Sequence, residues 1–197
     1  MKKAAVLIVS CWSGFMVMSL ELLSGRILAP TFGNSIYVWG AVITVFMLAL
    51  SIGYLIGGRL SLRTPSIAGL CALHFASGLF LIPILLFEIP VLDAIFAYTQ
   101  DPRAGSLIAS VVLFFIPSAI CGTVTPYAVK LLVNDASAAG FYAGLQYFFS
   151  TFFSAAGTLL TSFYFVLIFE VNQILMLFAG ITLVVATGVF LTARKAA

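Results

Sequence analysis

The sequence predicts an all-α, polytopic transmembrane helix bundle of about six spans with both termini cytoplasmic. Three observations carry that prediction. The chain is 63% hydrophobic and only 8% charged, where a soluble domain is roughly 25% charged. Apolar runs of about 20 residues, each long enough to cross a bilayer, recur along its 197 residues. Lys and Arg fall at the ends of those runs and mostly on one side of them.

Taken in order, the runs place spans at about 4–24, 37–57, 66–87, 104–125, 141–168 and 172–193, all within a single domain 1–197. The short link at 169–171 predicts a close hairpin between the fifth and sixth helices. Met1-Lys2-Lys3 before an apolar run imitates a secretion signal, and Ile8-Val9-Ser10-Cys11 resembles a lipoprotein cleavage box. The apolar run before Cys11 is short for that role and hydrophobicity continues past it, so a retained first helix is expected. Six crossings put both termini and the loops 58–65 and 126–140 on one side. That side holds Lys2, Lys3, Arg59, Arg63, Lys130, Arg194 and Lys195 with one acid, Asp135. The other holds Arg26 and Arg103 with Glu88, Asp93, Asp101 and Glu170. The excess of basic residues assigns the first side to the cytoplasm.

Composition also excludes functions. The net charge of +3 is scattered over helix ends, which does not make a nucleic-acid surface. No connection is long enough for a Rossmann unit, so no cofactor is expected. Cys11, Cys71 and Cys121 all fall within spans without metal-ligand spacing and read as packing residues, so no metal is expected either.

Small residues mark helix contacts, since lipid supplies no hydrophobic drive between helices. Gly53 and Gly57, with Gly58 adjacent, form one such pair, and Gly140 and Gly144 repeat it. Ser150, Ser154, Ala155, Gly157, Thr158 and Thr161 continue as a stripe that either packs on a neighbour or lines a polar passage.

The candidate binding residues come from charges and breaks. Glu21 is the acid placed within a span, at a cost of about 2.5–3.5 kcal/mol at a helix centre, so it should face protein or water. It shares a face with Gly14, Met18 and Gly25. Arg26, Pro30 and Gly33 are expected to form a corner after it, with Arg26 as a structural ion-pair partner. Tyr37 and Trp39 follow, as aromatic faces for a cation or as interfacial anchors. His74, the single histidine, lies near mid-membrane and is expected to bond a neighbouring helix or relay protons. Pro117-Ser118 and Cys121-Gly122-Thr123-Val124-Thr125-Pro126-Tyr127 predict either a proline kink or an interrupted fourth helix, whose freed carbonyls build a site. Tyr127 and Lys130 are then expected at its cytoplasmic mouth.

These residues carry a resemblance. Glu21, Arg26, Pro30 and Gly33, then Tyr37 and Trp39, and the Gly53, Gly57-Gly58-Arg59 ending, resemble the start of the membrane domain of fused major-facilitator/spermidine synthase proteins. Pro117-Ser118, Gly122 and Thr125-Pro126-Tyr127 resemble the same domain, as do Ser150-Thr151, Gly157-Thr158 and Phe163. In those relatives a cytoplasmic Rossmann-like domain follows the membrane part. These residues contain no GxGxxG after a strand and no aminopropyltransferase aspartate, so no catalytic residue carries over. The resemblance implies a bacterial inner-membrane subunit that anchors, or passes a polyamine-like substrate or product to, a separate spermidine-synthase-like enzyme. The alternative is a self-contained amine or cation transporter, with a second copy in a homodimer as its partner. Either would use Glu21, Arg26, Tyr37, Trp39, His74, Ser118, Thr123, Thr125 and Tyr127 as its substrate-binding set, with any transferase activity residing in a partner.

Overall fold

The computed structural model describes residues 2–133 and 135–195. Among them the elements are α1 (Lys2–Phe32), α2 (Ile36–Ser61), α3 (Ile67–Leu79), α4 (Ile82–Tyr98), α5 (Pro102–Leu132), a 3₁₀ turn (Ala136–Ala138), α6 (Ala139–Leu160), a π-helical turn (Thr161–Phe165), α7 (Val166–Ile168) and α8 (Val171–Lys195). They make six helical rods long and apolar enough to cross a membrane: Lys2–Phe32, Ile36–Ser61, Ile67–Tyr98, Pro102–Leu132, Ala136–Ile168 and Val171–Arg194. This is the all-α, multi-pass helix bundle that the sequence predicts.

Local chemistry sets most of the ends. α1 stops where Gly33 takes φ +79° and donates its N–H to Ala29, at 2.9 Å, the left-handed cap that glycine accepts without strain. α3 starts at Ser66, whose Oγ accepts from the Gly69 amide at 3.0 Å. α5 starts with Asp101 as cap, accepting from the Arg103 amide at 3.0 Å, and with Pro102 in the first turn, where a missing amide costs nothing.

Packing follows the small residues. α1 is the central helix, contacting α2, α5, α6 and α8, while α2 lies along α5 and α3 lies on α8 and α5. At Gly53 and Gly57 a side-chain carbon would collide with the carbonyls of Ala119 and Thr123, so α2 and α5 touch backbone to backbone. Gly14 meets the backbone of Ser150, and Gly157 meets Phe15, which joins α1 to α6 the same way. The stripe on the fifth span packs on α1 at Gly157 and Thr161, while Ser150 and Ser154 also line a cleft beside it. Gly140 and Gly144 have nothing near them, and the second expected glycine pair is not used. Between α1 and α8, Trp12 stacks on Phe15 at 5.2 Å and Phe178 stands edge-on to both at 5.9 Å. Cys71 and Cys121 are buried in the core as free thiols, and Cys11 is half-buried.

Four expectations are corrected. The fourth span is not interrupted: α5 runs unbroken through Pro117 and Pro126. α2 packs along this stretch at Ala119 and Thr123, and the Thr123 hydroxyl donates to the Ile120 carbonyl at 2.6 Å. The break falls in the third span instead, at Phe80–Leu81, just ahead of Pro83. There is no Arg26–Pro30 corner, because α1 continues through both residues and only Gly33 turns. The fifth and sixth spans do not form a close hairpin; the link at Phe169–Glu170 is tight, but α6 leans on α1 while α8 leans on α3 and α1. Finally, Tyr127 is no mouth anchor. It is 6% exposed, with its hydroxyl accepting from the Ser66 amide at 3.1 Å.

Candidate functional site

At the end of the bundle away from the termini, α1, α4 and the start of α8 enclose a basin of about 570 Å³. Its wall carries Arg26 and Thr31 from α1, Glu88 and Asp93 from α4, and Glu170 and Asn172 at the head of α8. Three features of the chain bring these groups together. α1 keeps its helical course past Glu21, so Arg26 stays on the rod. The bend at Phe80–Leu81 turns α4 so that Glu88 and Asp93 face the same space. At the tight link, Glu170 is fixed just ahead of α8: its amide donates to Gln173 Oε1 at 3.1 Å and its carbonyl accepts from the Ile174 amide at 3.1 Å.

Three carboxylates against one guanidinium leave the basin negative. One oxygen of Glu88 is buried without a hydrogen-bond partner. Among the described residues no three His, Cys, Asp or Glu side chains are grouped to hold a metal ion, so these acids are spread along the wall rather than converging on one point. A cleft lined by charge of one sign concentrates solutes of the other.

A second, smaller cleft of about 130 Å³ lies at mid-depth between α1, α2, α5 and α6. Ser13, Tyr54, Thr125, Tyr147, Ser150 and Ser154 give it a polar wall. The Ser154 hydroxyl donates to the Gly14 carbonyl at 3.0 Å, so part of that polarity is already spent on holding α6 to α1. Met18 also lines this cleft, and half-buried Glu21 is one turn beyond Val17 on the same stretch of α1.

The sequence-predicted residues therefore disperse. Arg26 belongs to the acidic basin and Thr125 to the mid-depth cleft. Tyr37 offers its face to the chain's own cation, with the Arg103 guanidinium 4.3 Å from the ring centre and bonded to the phenol oxygen at 3.1 Å. Trp39 packs its ring on Gly25 and donates to Asn34 Oδ1 at 2.7 Å. Thr123 and Tyr127 are structural. His74 is fully buried and neither ring nitrogen has a partner, so the expected interhelical bond is not made. Ser118 is likewise buried with its hydroxyl unpartnered.

Sequence reasoning missed Glu88, Asp93, Glu170 and Asn172 as site residues, counting the acids among them only for orientation. Their excess over Arg26 and Arg103 on one side of the bundle was the available signal. It missed Tyr54 and Tyr147 as well, because nothing in their spacing tells that two distant spans share a cleft. Comparison with protein-family models, with curated proteins and with solved structures returns no match.

Proposed function

We propose that this chain is a membrane subunit that receives a small polyamine-like cation in the acidic basin and passes it to a separate spermidine-synthase-like enzyme on the cytoplasmic side of a bacterial inner membrane. The observation that carries the amine is the basin itself: a 570 Å³ space with Glu88, Asp93 and Glu170 on its wall, offset by Arg26 alone. Cations several atoms long are matched by separated carboxylates, which raise the local concentration of positive solutes. The docking face follows from the loop charges, where Arg59, Arg63 and Lys130 stand at the end that the positive-inside bias assigns to the cytoplasm.

The test has two arms. Purified protein in lipid nanodiscs should bind a labelled triamine, and the triple variant Glu88→Gln, Asp93→Asn, Glu170→Gln should lose most of that binding; equal binding by the variant would remove the basin from the function. Mild-detergent purification from native membranes should recover a soluble Rossmann-type enzyme, and its repeated absence would count against the subunit reading.

One observation favours a second reading, a self-contained transporter of an amine or cation. The polar cleft at mid-depth, with Glu21 one turn away, is where a translocation pathway would need polar groups. Liposomes holding the pure protein should then accumulate the labelled amine, and Glu21→Gln should abolish uptake.

A further inference from the structure

We infer that the groove between the third and sixth spans is a binding site for one anionic phospholipid. At the terminal end, Lys2, Ser66 and Arg194 line a cavity of about 430 Å³ between α1, α3 and α8. Ala68 and Phe190 belong both to this cavity and to an apolar trough of about 320 Å³ that runs on between α3 and α8. Phe75 and Leu79 line the trough further along. No acid lines either space. A basic mouth thus opens directly into a hydrocarbon-lined channel.

The dimensions match a lipid. From Ala68 to Leu79 the helix rises about 16 Å at 1.5 Å per residue, and half of a roughly 30 Å hydrocarbon core is about 15 Å. The trough is therefore one leaflet deep, and α3 ends at Leu79, where that depth is reached. Its walls are built largely of small side chains, Ala68, Ala72, Ala76 and Ala186 among them, which leaves room for a methylene chain against the helix backbones. Two cations at the mouth complement a phosphodiester, and basic pockets between spans at the cytoplasmic surface select anionic headgroups. A zwitterionic lipid would gain the trough without the charge.

The full chain would be reconstituted in nanodiscs of phosphatidylcholine containing a phosphatidylglycerol with a photoreactive group on its acyl chain. Crosslinks are expected at Phe75, Leu79 and Phe190, and native mass spectrometry should retain phosphatidylglycerol over phosphatidylcholine. The double variant Lys2→Ala, Arg194→Ala should weaken retention by roughly tenfold, while Arg59→Ala, Arg63→Ala, which changes charge at the same end outside the groove, should not. Ala72→Trp should displace the acyl-chain crosslinks with both mouth charges intact. Crosslinks spread evenly over the lipid-facing surface, equal retention of the two lipids, or equal loss in the control variant would overturn the site. Competition by inorganic phosphate as effective as by lipid would assign the mouth to a free anion and overturn it too.

Discussion

The α-carbon of Gly57 lies flush against the carbonyl of Thr123, so that the second and fourth spans meet without an intervening side chain. Gly58, its neighbour in sequence, has nothing near it. Adding one methyl at each position therefore separates contact from propensity. Gly57→Ala should lower stability in detergent by about 1–3 kcal/mol through overpacking. Gly58→Ala should be neutral or gain up to about 1 kcal/mol from reduced chain entropy. Denaturation followed by helical circular dichroism compares the two; equal effects would mean the spans do not rely on this approach.

In the basin, Arg26 is the cation that any bound amine must share the wall with. Arg26→Gln should tighten binding of a labelled triamine by about fivefold, the scale of roughly 1 kcal/mol for an exposed charge pair. The gain should shrink as salt is raised, since screening acts on exposed charges first. Calorimetric titration at low and high ionic strength measures both, and weaker binding in the variant would show that Arg26 contacts the ligand favourably.

His74 presents two buried ring nitrogens without partners. Removing a polar group that makes no bond should relieve a desolvation cost, so His74→Leu should leave stability unchanged or raise it by about 1 kcal/mol. A clear loss in thermal unfolding would reveal a bond to the imidazole that the packing does not display.

Asp135 caps the turn into the fifth span, accepting from the Ser137 amide at 3.2 Å and from the Ser137 hydroxyl. Those two bonds, the hydroxyl's first, hold its carboxyl below the ordinary 3.8. A depressed value in the folded state means the cap is in place at higher pH. It is lost as pH falls through that depressed value. The Ser137 amide resonance should therefore titrate with a midpoint below 3.8, and Asp135→Ala should remove the titration. A midpoint at or above 3.8 would contradict the capping bonds.

Hydrophobicity and length were enough to read six membrane-crossing helices from the sequence, because each span is a local run whose backbone bonds close within itself. The Gly53/Gly57 pair was legible for a related reason: small residues at helical spacing declare a close approach whatever the partner. Proline was the misleading signal. Pro117 and Pro126 left a kink or a break open, and α5 passes through both unbroken while the break falls at Phe80–Leu81. Whether a lost hydrogen bond bends a helix depends on what packs alongside, and no local pattern contains that.

What the sequence alone determined was the class of the protein, the number of its crossings and the sidedness of its charge, since these rest on runs and counts. The meeting of Arg26, Glu88, Asp93 and Glu170 was decided only by tertiary structure, because three separate helices must end at one basin for residues so far apart to share it. Tyr37 makes the same point in reverse: its ring suits a ligand cation, but the fold brings Arg103 to it first. Spacing along the chain measures what one helix presents, while a site between helices depends on rotations and tilts that packing alone sets.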